Sequence, residues 1–190
     1  PVKGCKDDGK GNIYHGMVRY EDWLVEEINV DDRGVFIRLF LDTRDYPAIE
    51  KYFGTSEVTL SYRLKENRFT IDTDIKNNDV KDLITSLAYH PWFNTPDKGN
   101  WQLKIPANKY WPSKDQLPID RPQDVKGTRF DFRQQQLIGN RAYDDVLTEL
   151  EFDASGKVVS LLYDPKDNAL VMVIQDNTFK NTVLYIPVDK

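Results

Sequence analysis

Asp145-Val146-Leu147-Thr148-Glu149-Leu150-Glu151-Phe152-Asp153-Ala154-Ser155-Gly156-Lys157-Val158-Val159-Ser160-Leu161-Leu162-Tyr163 reads as two strands and a turn. In the first half Val146, Thr148, Leu150 and Phe152 recur at every second position, the period of a strand with one buried face. Asp153-Ala154-Ser155-Gly156 is a break of small and turn-forming residues, and a second apolar run follows it. The same pattern continues in both directions. Downstream, residues 169–176 follow a turn at Asp164-Pro165-Lys166-Asp167-Asn168, and residues 182–186 form a last strand. Upstream, residues 23–30 and 35–41 flank Asp31-Asp32-Arg33-Gly34, whose glycine takes a positive φ without steric cost. Residues 56–64 and 68–75 make a second hairpin across Lys65-Glu66-Asn67, and residues 46–52 between the hairpins read as loop or at most one helical turn. Residues 83–89 read as a strand that stops at Pro91, because proline cannot donate to a ladder and restricts the residue before it. Between Thr95 and Arg133, Pro96, Pro106, Pro112, Pro118 and Pro122 predict short strands under long loops. Helical periodicity is nearly absent. The expected fold is an all-β antiparallel sandwich, one domain over residues 1–190.

Composition removes several functions. The chain has 190 residues, 31 acidic and 26 basic, for a net charge of -5. It carries no Lys/Arg cluster to meet phosphates, so nucleic acid is not an expected partner. Cys5 is the single cysteine, so no internal disulfide forms, and no Cys/His grouping has zinc-site spacing. No metal and no cofactor are expected, and a reducing cytoplasm fits. Apolar runs such as 169–174 fall far short of the roughly 20 residues that cross a bilayer, and the opening Pro-Val-Lys-Gly-Cys-Lys-Asp-Asp has no signal-like apolar stretch. No membrane association is expected.

The chain has two histidines, His15 and His90. Imidazole both gives and takes protons near neutrality. From the residues alone, each is either an imidazole satisfied by backbone or a proton donor at a site. Asp144, in strict alternation, shares the face of Val146, Thr148, Leu150 and Phe152, while Asp145 points away with Glu149. A carboxylate on an apolar face needs hydrogen-bond partners to offset its desolvation; a nearby turn amide and a pair of ligand hydroxyls both qualify.

Five segments, in order, resemble the aldose 1-epimerase (galactose mutarotase) family. Tyr89-His90-Pro91-Trp92-Phe93-Asn94 is similar to its His-Pro/Ser-Tyr-Phe-Asn signature, with Trp92 where tyrosine is usual. Ile13-Tyr14-His15-Gly16, followed by Trp23, resembles its Leu-His-Gly segment. Ile105-Pro106-Ala107-Asn108-Lys109-Tyr110-Trp111-Pro112 resembles its Ile-x-Ala-x-x-Tyr-x-Pro loop. Val125-Lys126-Gly127-Thr128-Arg129-Phe130-Asp131-Phe132-Arg133 resembles Val-x-Gly-Thr-Pro-Phe-Asp-Phe-Arg, with Arg129 in place of proline. Ala142-Tyr143-Asp144-Asp145 resembles the segment that supplies a sugar-binding aspartate.

The resemblance implies a galactose mutarotase-like supersandwich, incomplete in this chain, that interconverts the α and β anomers of a free hexose such as galactose or glucose. It implies His90 as the acid, with His15 and Asp144 binding substrate. The family's base is a glutamate near the C-terminal end, and here no glutamate follows Glu151; the family's upstream arginine also has no counterpart before Ile13. The expectation is a section of a longer domain, whose isolated strands would expose edges and associate. Two alternatives stay open: a non-catalytic carbohydrate-binding or sugar-sensing protein, and an epimerase of a hexose 6-phosphate, for which Arg121, Arg129, Arg133 and Arg141 are available. The oligomeric state is not set by the sequence.

Overall fold

A computed structural model describes residues 15–115 and 117–187. Cys5, Ile13 and Tyr14 lie outside the described residues. The chain divides into two compact units, Pro1–His90 and Pro91–Lys190. Nothing in the strand pattern marks that boundary, which falls inside the His90-Pro91 dipeptide.

The first unit is an antiparallel meander of β1 (Leu24–Asp31), β2 (Gly34–Asp42), β3 (Ser56–Lys65) and β4 (Arg68–Asn77), in that order across the sheet. Both expected hairpins form. The β1–β2 turn closes with Asp31 opposite Gly34, whose φ of 108° no side chain tolerates well and whose Cβ would meet the Leu64 carbonyl oxygen. Register fixes the two faces. Val30, Val35, Leu64 and Phe69 form one cross-strand row, with Ile28, Ile37, Tyr62 and Ile71 in the next but one, so one face is apolar. The opposite face carries Glu27, Arg38, Ser61 and Asp72 in one row. Between β2 and β3, α1 (Pro47–Phe53) is a two-turn helix, longer than the single turn expected: Pro47 presets φ at its start and Gly54 ends it at φ 69°. Its Ile49 is buried against Met17, with Val18, Tyr46 and Phe53 packed around them.

Residues 83–89 form no strand, contrary to the sequence reading. Their apolar residues lie largely exposed, Ile84 at 91%. Alternation reports which face a segment would bury; a strand also needs a ladder partner, and none is paired to this segment among the described residues.

The second unit is a sandwich. Its short elements are β5 (Gln102–Lys104), β6 (Ala107–Trp111), β7 (Ser113–Lys114), β8 (Leu117–Pro118), β9 (Gln123–Asp124) and β10 (Gln136–Leu137). The longer ones are β11 (Tyr143–Leu150), β12 (Lys157–Asp164), β13 (Ala169–Asp176) and β14 (Asn181–Ile186). One sheet runs β10-β5-β12-β13, a second β14-β11-β6-β9, and β7 pairs with β8. Between the sheets lie Leu103 and Val158 from the first, Ala107, Tyr143, Leu147 and Leu150 from the second, and Val125, Phe130, Phe132 and Ile138 from loops. The antiparallel β-sandwich expected from alternation is the fold observed.

Candidate functional site

His15, the first of the described residues, lies in a turn with φ 61°, followed by Gly16 at φ 74°. Histidine is among the few non-glycine residues that tolerate this region. The turn is anchored from below. Met17 inserts beside Ile49 of α1, Trp23 Nε1 donates to the Val18 carbonyl at 3.1 Å, and the Tyr46 hydroxyl donates to the Asp22 carbonyl. Arg19, on a 3-10 turn (Val18–Tyr20), approaches His15 Nδ1 with Nη1 at 2.7 Å. A guanidinium only donates, so Nδ1 is the acceptor and the ring proton of His15 sits on Nε2. His90 precedes Pro91, which disfavours a helical backbone at the residue before it. Its neighbour Tyr89 hydrogen-bonds through its hydroxyl to Thr73 Oγ1 on β4. The two imidazoles meet edge to face, ring centroids 5.6 Å apart and planes at 72°, and both side chains are exposed. Two histidines 75 positions apart in sequence therefore share one surface of the first unit.

Asp144 belongs to the second unit, and its face is a correction. It is exposed, whereas Tyr143 and Leu147 are buried and Asp145, on their side of β11, is mostly covered. Glu149 is the cause. At φ 52° it leaves the extended conformation and drops out of the β11–β6 ladder, which pairs Thr148 with Lys109 and Leu150 with Ala107 but skips the position between. The alternation counted back from Leu150 is out of phase by one across that residue. Arg129 engages the same strand start: Nη2 donates to Asp145 Oδ2 at 3.0 Å and Nη1 to the Ala142 carbonyl at 3.2 Å. Asp145 Oδ2 also accepts the Asp144 N–H at 3.1 Å. Sequence reading marked Arg129 as a replacement but missed these bonds.

The loop before Arg129 has its own logic. Gly127 at φ 74° allows a turn that Thr128 closes, N–H and hydroxyl both donating to the Val125 carbonyl. Phe130 and Phe132 are then buried beside Tyr143, while Arg133 pairs with Asp131 through two bonds of 2.8 Å. The Arg133 hydrogen bonds hold the Asp131 carboxyl below the usual carboxylate range, against partial desolvation. Of the expected cations, Arg129 and Arg133 are thus each held by a carboxylate. Trp101 is core, and Tyr110 packs on Phe130 at 4.2 Å. Trp92 is exposed, edge-on to Tyr185 at 5.5 Å. Among the described residues no group of three His, Cys, Asp or Glu is placed to hold a metal, and no helix is long and apolar enough to cross a membrane.

A model of the aldose 1-epimerase family matches residues 2–190. The chain belongs to the aldose 1-epimerase family. Solved structures agree on the fold. A galactose mutarotase-like protein from Clostridium acetobutylicum superposes with a TM-score of 0.79 at 20% identity, covering 97% of this chain and 57% of that one. A Synechocystis protein gives 0.64 at 21% identity, with 93% and 59% covered, and an aldose epimerase homologue from C. elegans gives 0.52 at 16%, with 77% and 46% covered. The chain therefore spans about half to three-fifths of the length of these solved structures. Both histidines and Asp144 sit on the segments that resemble the aldose 1-epimerase motifs, as does Arg129.

Proposed function

We infer that this chain carries the acid side of an aldose 1-epimerase site acting on the anomeric carbon of a free hexose. Mutarotation needs a proton delivered to the ring oxygen while a base removes the C1 hydroxyl proton; the ring opens, the aldehyde turns, and closure on the other face reverses both transfers. His90 is the proton donor. His15, held at Nδ1 by Arg19, helps to bind the sugar ring. Asp144 accepts from sugar hydroxyls. The observation that carries the reading is the edge-to-face pairing of the two family-motif histidines at 5.6 Å.

Plain rather than phosphorylated hexose is the reading adopted, since two of the four candidate cations, Arg129 and Arg133, already serve carboxylates. Polarimetry on fresh α-D-galactose and α-D-glucose tests the reading. Mutarotation faster than the spontaneous rate is expected, lost in His90→Asn, with no preference for the 6-phosphate; an unchanged spontaneous rate with the intact protein contradicts it. The alternative reading is a non-catalytic sugar-binding protein. Its signature is calorimetric binding of hexose without acceleration.

A further inference from the structure

Arg129 clamps the start of β11 from both sides of Asp144. One guanidinium nitrogen donates to the Ala142 carbonyl two positions before it, the other to the Asp145 carboxylate one position after it. That same carboxylate oxygen accepts the Asp144 N–H at 3.1 Å. The guanidinium lies over the Phe130 and Tyr143 rings, 4.6 and 5.2 Å from their centroids, and the Tyr143 hydroxyl returns a bond to the Arg129 carbonyl at 3.3 Å. Tyr143 is 2% exposed, so this end of the clamp is set in the core. A planar fork satisfying two acceptors at once fixes geometry in a way a single point charge does not.

We propose that Arg129 is a positioning residue which, through Asp145, holds the backbone of Asp144 so that its carboxylate is presented in one orientation to the hydroxyls of a sugar. The proposal rests on the reading of Asp144 as a hydroxyl-binding group and goes beyond it, since Arg129 touches no substrate. Asp145 is then a structural partner of Arg129, which accounts for two adjacent aspartates with unequal exposure.

The test is calorimetric titration of D-galactose into the full chain, with Asp144→Asn, Arg129→Ala and the double variant. Arg129→Ala is expected to weaken binding about tenfold, the equivalent of one well-placed hydrogen bond. In the Asp144→Asn background the same change adds nothing, because Arg129 acts through Asp144. In any turnover assay KM rises while kcat holds, the mark of lost binding common to ground and transition states. Should Arg129→Ala fail to melt cooperatively, Asp145→Ala removes the Arg129–Asp145 arm of the clamp and the carboxylate that accepts the Asp144 N–H. Binding as tight as wild type, or losses that multiply in the double variant, overturns the clamp while leaving the sugar site intact. A wild-type chain that binds no hexose overturns the sugar-site reading itself, and the clamp with it.

Discussion

Asp131 shows how a single pair of bonds makes stability depend on pH. Arg133 holds the carboxyl below its ordinary value, so the folded protein binds that proton less readily than the unfolded chain, whose aspartates titrate near about 3.9. The resulting stabilisation is complete above the unfolded value and is lost as pH falls through the depressed folded one. Both side chains are nearly one-third exposed, which limits the pair to about 1 kcal/mol at most. Chemical denaturation of Asp131→Asn should show a small deficit at pH 7 that closes toward pH 2; a deficit independent of pH would contradict the assignment. The identities of His15, His90 and Asp144 were readable from short motifs. Their partners were not, since neither Arg129–Asp145, 16 positions apart, nor His15–His90 has a local spacing rule. Arg19 escaped as well, because the turn that brings it to His15 runs through the left-handed His15 and Gly16 and follows no helical spacing.

Strands were located well and faces less so. The hairpins β1–β2 and β3–β4, and the run β11 to β14, follow from period-two patterning interrupted by turn residues. Two features escaped because they depend on what the backbone does rather than on hydrophobicity. One is Glu149, a charged residue in the left-handed region inside a strand, which turned the apparent face of Asp144 to the wrong side. A β-branched residue suffers most there, so Glu149→Val should destabilise by about 1–2 kcal/mol, whereas Glu149→Gly should be tolerated. Equal melting temperatures for the two variants would remove Glu149 as the cause of the phase change. The other is the segment 83–89, whose pattern fits a strand but which has no ladder over it among the described residues.

At the scale of the molecule, the two units differ in how completely they bury their apolar surface. The second closes two sheets over one core, and truncating its centre should be costly: Leu147, 1% exposed, is expected to lose about 2–5 kcal/mol as Leu147→Ala by urea unfolding. In the first unit Ile28, Val30 and Phe69 on the apolar face are 67%, 73% and 60% exposed. Contiguous apolar surface of that kind drives association. Sedimentation velocity on residues 1–190 should find self-association, reduced by Ile28→Lys with Phe69→Lys; a clean monomer with the wild-type face would contradict the expectation. The sandwich class was legible because alternation and turn chemistry are local. The division at His90-Pro91 was not, because it depends on which distant strands pair.

The claim on which the account turns is that His15 and His90 together meet a sugar. Because the chain has two histidines, the protons on the two imidazole Cε1 carbons give two NMR signals, one per ring. Titrating D-galactose into the full chain should move both signals along one saturation curve. A sugar that binds while leaving either ring unmoved, or leaves both unmoved at saturating concentration, would contradict the account.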